Sequence, residues 1–172
     1  MLVFQYASNM SSVRLYSDAR LQGEAVPLGL AITEDRFDLD FTVFSPQNGC
    51  AAADLTPNGS RRITGVLYEI PEERVLRERS GGRRTLDDVE GEGVAYVRTA
   101  IRVTDSKSER TPIEAVTYVV KTPRSGLRTC AAYVHHIFVG LREHRVPEVY
   151  VTYVKDRIAR NNPELASVIR DW

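Results

Sequence analysis

The chain has 172 residues, 42% hydrophobic and 27% charged, a globular balance that excludes a disordered chain or a coiled coil. At about 150 residues per domain this length fits a single domain, residues 1–172, with a core burying roughly 70% of the unfolded surface. The 23 Lys+Arg cancel the 23 Asp+Glu, so charge makes no case for nucleic acid or an anionic membrane as partner, and no apolar run approaches the ~18 residues of a spanning helix.

Residues 2–6 form a short apolar strand. It lacks the basic start and small-residue cleavage site of a signal peptide, so a cytoplasmic location is expected. The small polar turn Ala7-Ser8-Asn9 follows, then a segment able to be helical to about Ala19, with Ser8 or Asn9 as its cap. A strand that ends in such a turn leaves backbone N–H groups pointing one way, suited to an anion or a developing oxyanion. From Gly23 to Ile70 the chain reads as several strands. Arg36–Phe44 alternates with Phe37, Leu39, Phe41 and Val43 on one face, and Ile63–Ile70 is apolar on both faces, as in a central strand. Pro46–Gly49 and Pro57–Gly59 are turn clusters. Pro71-Glu72-Glu73 opens a charged helix with Pro at its first position, interrupted at Ser80-Gly81-Gly82. Thr85–Gly91 is a short helical turn ended by glycine. Val94–Val103 and Ile113–Lys121 read as strands joined by the polar loop 105–111. Gly126–His144 reads as a helix with Tyr133, Ile137, Gly140, Leu141 and His144 on one face, and Pro147 opens a last helix that buries Val151, Val154 and Ile158. Strands first and helices late predict an α+β fold with a small, mixed but mostly antiparallel barrel or curled sheet and helices packed around it.

Several residues are chemically able, each with a plain alternative. The Tyr6–Met10 turn is an oxyanion loop or a mere cap. Among Asp87, Asp88, Glu90 and Glu92, partial burial beside other carboxylates would raise a pKa toward that of a general base. Val89 and Gly91 flank Glu90, making it the acid drawn inward, while Asp87 and Asp88 read as solvated. Tyr96 shares a strand face with Arg98, Ala100 and Arg102, opposite the core candidates Val97, Ile101 and Val103. Tyr96 and Arg98 therefore face solvent or a polar cleft, where Arg98 would meet a substrate carboxylate. Arg74, Arg77, Arg79, Arg83 and Arg84, interleaved with Glu72, Glu73 and Glu78, read as a solvated helix and loop. His135, His136 and His144 have no metal-ligand spacing, and with only Cys50 and Cys130 there is neither a disulfide framework nor a Cys-rich metal site. Cys50 is a small buried thiol or, with a histidine, a nucleophile.

The order of the motifs carries more. Tyr6-Ala7-Ser8-Asn9-Met10 resembles the Tyr-Gly-Ser-Asn-Leu loop of the gamma-glutamylcyclotransferase-like family, within the AIG2-like superfamily. Phe37–Phe41, Asn48–Ala52 and Thr64–Glu69 are similar to its aromatic, Gly-Gly-x-Ala and Gly-Val-hydrophobic-aromatic strands. Leu86–Gly91 resembles its Leu-Asp-x-x-Glu-Gly motif, Tyr96 and Arg98 its Tyr-x-Arg, and Tyr133–Gly140 with Val146-Pro147 its late helix. The likeness runs from about residue 3 to 158. Ala7 and Cys50 depart from it, each standing where the family has glycine. At Ala7 the added Cβ is expected to strain the turn by up to ~1 kcal/mol or to crowd a ligand.

The resemblance implies a cleft at the barrel mouth and cyclisation of a γ-glutamyl group to 5-oxoproline with release of the attached amine. In that reading Glu90 is the catalytic acid/base, and Tyr6, Ala7, Ser8, Asn9, Met10, Tyr96, Tyr133 and Arg98 bind substrate. No cofactor or metal is implied; the partner is a small γ-glutamyl compound, and a homodimer is left open. The leaving-amine pocket is expected in loops 77–85 and 104–111. A non-catalytic member that binds a γ-glutamyl metabolite or a protein is the alternative, and a Cys50 hydrolase a third.

Overall fold

The computed structural model describes residues 1–105 and 111–172. Most of the 105–111 loop lies outside the described residues, so the expectation placed on it goes no further. The described residues form seven strands and five α-helices: β1 (Leu2–Gln5), α1 (Ser12–Leu15), β2 (Val26–Thr33), β3 (Phe37–Ser45), β4 (Cys50–Pro57), β5 (Thr64–Glu69), α2 (Glu72–Val75), α3 (Leu86–Glu90), β6 (Tyr96–Asp105), β7 (Ile113–Val120), α4 (Ala131–Glu143) and α5 (Glu148–Asn161).

The fold is mixed α+β around a closed five-stranded barrel in the order β1-β5-β2-β6-β7. Its pairs are antiparallel except for the parallel contact of β1 with β7 that closes it. β5 lies between β1 and β2, and its run from Val66 to Tyr68 is buried, as a strand apolar on both faces requires. β3 and β4 form a separate antiparallel ribbon, with Leu39, Phe41 and Val43 buried on the face the alternation predicts. Two glycines permit close approach. A Cβ on Gly65 would meet the Gln5 carbonyl oxygen at 2.4 Å, and one on Gly140 would meet Met10 Cβ and Ser11 N at 2.7 Å, so α4 packs directly on the turn after β1. Among the described residues no helix is long and apolar enough to cross a membrane.

The structure corrects several expectations. The first helix is capped by Ser11, not Ser8 or Asn9, and stops at Leu15, because residues 8–10 form a buried 3-10 turn of their own. Pro71 and Pro147 are caps rather than first helical residues, and α4 starts only at Ala131, after Gly126 at φ +77°. β6 begins at Tyr96, and parity holds over its far part, where Ile101 and Val103 are buried as expected, but fails at its start. Tyr96 is buried and Val97 is 38% exposed, because the ribbon covers the start of the strand and receives the Tyr96 hydroxyl on Ala53 O at 2.8 Å. Two charged residues read as solvated are buried. Arg74 is 1% exposed, with Nη1 donating to Arg84 O at 2.7 Å. Asp87 is 1% exposed, accepting from Arg98 Nη1, Tyr118 OH and Arg77 N.

Candidate active site

A cleft of about 460 Å³ opens between the turn after β1, the loop joining β3 to β4, and α3 with the start of β6. That size suits a small-molecule site. Its floor is a recess of about 30 Å³ between the same turn and the Tyr118 region of β7, and Ser8, Asn9, Glu90, Tyr96 and Tyr133 line both spaces.

Glu90 arrives at the end of α3, a helix of five residues fixed at both ends. Thr85 and Asp88 form a reciprocal capping box, and Gly91 closes the helix in the left-handed region at φ +67°. The Glu90 carboxylate accepts from Asn9 Nδ2, which ties the base candidate to the turn. Burial raises its pKa above the ordinary 4.5, against the opposing pull of Arg20, Arg14 and the Asn9 bond. Asn9 is 5% exposed, and its Oδ1 has no partner among the described residues. Gln5 Nε2 and Arg14 Nε are likewise buried without one, and both residues line the same connected space. Buried polar atoms are seldom left unmatched. Two unmatched donors and one unmatched acceptor thus belong to residues that line the cleft or its recess.

Three arginines line the cleft beside the carboxylates of Glu90 and Asp88. Arg14 and Arg20 line it, and burial lowers both, Arg14 to about 10. Neither forms an ion pair with a carboxylate of the described residues; Arg14 Nη2 donates to Asn48 Oδ1 at 2.9 Å, and its guanidinium lies 5.8 Å from the Tyr133 ring centre. Arg84 adds a third cation at the rim. The tyrosine hydroxyls frame the wall. Tyr133 OH accepts from Ala53 N at 3.0 Å while Tyr96 OH donates to Ala53 O, so both fasten β4 instead of bonding Glu90. Burial keeps Tyr6, Tyr96 and Tyr133 protonated.

The structure brings together Glu90, Ser8, Asn9, Tyr96 and Tyr133 in the main cleft, with Tyr6 and Ala7 in the recess. It does not bring in Met10 or Arg98. Met10 is fully buried against α4, and its carbonyl accepts from Tyr68 OH at 2.9 Å. Arg98 does not line the cleft; its guanidinium is held by Asp87, with Glu78 at 3.7 Å. Ala7 takes φ −136°, so its Cβ is not held in a left-handed backbone. Sequence reasoning missed Arg14, Arg20 and Gln5. Arg14 is the third residue of α1, a helix expected to be capped at Ser8 or Asn9 but capped at Ser11. Burial of Arg20, which follows α1, has no local sequence signal. Among the described residues no group of three His, Cys, Asp or Glu could hold a metal ion.

A model of the AIG2-like family matches residues 62–154, more than half of the chain. No curated protein matches the sequence. Among solved structures, a protein named gamma-glutamyl cyclotransferase is similar with a TM-score of 0.75 and 21% identity, over 100% of this chain and 99% of that one. The human protein loc79017 is similar with a TM-score of 0.73 and 21% identity, over 89% of this chain and 85% of its own. YkqA from Bacillus subtilis gives 0.72 and 22%, over 91% of this chain and 54% of its own. At these identities the likeness shows a shared fold.

Proposed function

We propose that this chain, which belongs to the AIG2-like family, is a gamma-glutamylcyclotransferase-like enzyme that closes a γ-glutamyl group to 5-oxoproline and releases the amine attached to it. The observation that carries the reading is the Glu90–Asn9 pair: a half-enclosed carboxylate of raised pKa, held by an amide whose own oxygen is unmatched.

In this reading the glutamyl α-amine sits between Asn9 Oδ1 and Glu90. Glu90 takes its proton, because an ammonium has no lone pair with which to attack. The free amine adds to the γ-carbonyl of the same residue, an intramolecular step in which the protein mainly selects the folded conformer. The N–H groups of Ser8 and Asn9, at the head of the 3-10 turn, face the carbonyl oxygen as it gains charge. Glu90 then delivers a proton to the leaving nitrogen as the amide C–N bond breaks. One of Arg14 and Arg20 holds the α-carboxylate and Gln5 Nε2 supplies a further donor. The second arginine favours a leaving amine that itself carries a carboxylate, as an amino acid does.

The testing experiment is a 5-oxoproline assay over γ-glutamyl amino acids, γ-glutamyl amines and glutathione, with Glu90→Gln alongside. The reading requires turnover by the parent protein that the variant loses, with substrate still bound by the variant. Binding without product in the parent would replace it with a metabolite-binding role. The Cys50 nucleophile finds no support: burial, then its Cys130 neighbour, pushes that thiol up to about 12, and Cys50 does not line the cleft.

A further inference from the structure

Cys50 opens β4 and Cys130 caps α4, 80 residues apart in sequence, yet their sulfur atoms lie 2.7 Å from each other. Both are free thiols. The gap is shorter than unbonded sulfurs ordinarily keep and longer than the about 2.05 Å of a disulfide bond. The two segments are already fastened next to the pair, by bonds that bracket Cys130 and follow Cys50: Ala51 N donates to Arg128 O at 2.9 Å, and Ala53 N to Tyr133 OH at 3.0 Å. The backbone thus presents the cysteines to each other independently of the sulfur contact.

We propose that Cys50 and Cys130 form a redox-modification site, a dithiol that a small disulfide or a peroxide converts to an intramolecular disulfide. Cys130 is half-buried and Cys50 is 6% exposed, so the oxidant meets Cys130 first. With a small disulfide, the Cys130 thiolate attacks one sulfur and releases the first thiolate, forming a mixed disulfide. Cys50 then attacks the Cys130 sulfur while its proton passes to the departing sulfur, so the second thiol leaves neutral and no free Cys50 thiolate has to build up. Two electrons pass from the protein to the reagent. With a peroxide, Cys130 becomes a sulfenic acid with loss of one water, and Cys50 displaces a second water from it.

Neither sulfur lines the cleft, but their neighbours do: Ala52 and Ala53 follow Cys50, and Tyr133 follows Cys130 by one helical turn. Closing the bond staples the β4–α4 wall of the candidate site. The inference does not depend on what that site catalyses.

The test treats the full chain with glutathione disulfide and, separately, with hydrogen peroxide. Thiols are then titrated in denaturant, intact mass is measured and a non-reducing peptide map is made. The expected result is loss of both thiols, a mass lower by two hydrogens, and one peptide pair joining Cys50 to Cys130. Thermal midpoint should rise by about 10 °C and return on adding dithiothreitol, since the link closes a long loop in the unfolded chain. Cys50→Ser should instead accumulate glutathione on Cys130. Two titratable thiols after oxidation, glutathione on both cysteines of the parent protein, or disulfide-linked dimers in place of the internal pair would each overturn the proposal.

Discussion

Replacing Asp87 with alanine tests the largest departure of the structure from the sequence reading. The residue is 1% exposed and its carboxylate takes three donors: Tyr118 OH at 2.7 Å, Arg77 N at 3.1 Å and Arg98 Nη1. Truncation strands the Tyr118 hydroxyl, in a residue only 3% exposed, and the partly buried Arg77 N–H. A buried donor left without an acceptor costs about 1–3 kcal/mol. Arg98 is 25% exposed at its side chain and has Glu78 within 3.7 Å, so it turns to solvent and adds little. The sum is about 3 kcal/mol, which for a chain of this length lowers the thermal midpoint by about 6–12 °C. Asp87→Asn keeps an acceptor for one donor and should lose about half as much. Urea and thermal unfolding followed by circular dichroism give both values. An alanine variant within about 0.5 kcal/mol of the parent would place Asp87 in solvent and refute the network.

Glu90→Gln should lower kcat by about 10²–10⁴-fold, the usual worth of a general base, while 5-oxoproline affinity measured by calorimetry stays near that of the parent. The same variant has a stability signature. Because burial raises the folded-state pKa of Glu90 above its ordinary 4.5, its contribution to stability is fully present below that value and is lost as pH rises through the raised one. Glu90→Gln should therefore unfold like the parent near pH 4 and at higher temperature than the parent at pH 7, as calorimetric scans would show. The acid limb of kcat/KM in the parent should lie above pH 4.5, and an acid limb at or below it would count against Glu90 as base. Arg20→Met should raise KM for γ-glutamyl amino acids by about 10–100-fold with a smaller effect on kcat, the worth of one charged hydrogen bond. Gly140→Ala forces a Cβ to within 2.7 Å of Met10 Cβ and should cost about 1–3 kcal/mol, with loss of activity in the fraction that remains folded because the Ser8–Asn9 turn is what moves.

What was legible in the sequence was what local patterning controls. The alternation of Phe37, Leu39, Phe41 and Val43, the two-faced run of β5, and the Thr85–Gly91 turn with its glycine stop all appear in the structure close to where the pattern places them. Glu90 was picked out by its flanking Val89 and Gly91, and it does line the cleft. What was not legible depended on partners distant in sequence. Asp87 is buried because Tyr118 and Arg98 come from two strands of the barrel, and Arg74 because the 83–85 segment folds over it. Parity failed only at the start of β6, at Val97, for the same reason: a ribbon separated from it by some 40 residues covers that end of the strand, while Ile101 and Val103 are buried as the alternation predicts.

The two kinds of information meet in α3. A helix of five residues has no stability of its own in water, where isolated helices shorter than about 12 residues are already marginal. Its caps fix where it starts and stops, but they do not fix where it sits. Its position comes from Asp87, three residues before Glu90 and so on the same side of the helix, anchored to β6 and β7. The buried Arg74 holds the strand of chain entering the helix through Arg84 O, and Asn9 holds its far end through Glu90 itself. The candidate base is therefore placed by one buried carboxylate and one buried guanidinium that do not line the cleft. A change at Asp87 or Arg74 should then act on kcat through the placement of Glu90, leaving the pH at which the rate turns over unchanged in the folded fraction. A change at Arg14 or Arg20 should shift that turnover, because their charges act on the Glu90 carboxyl directly. Measuring the pH–rate profile of Asp87→Asn beside that of Arg20→Met separates placement from electrostatics, and a shifted profile in the Asp87 variant would mean that the two are not separable in this site.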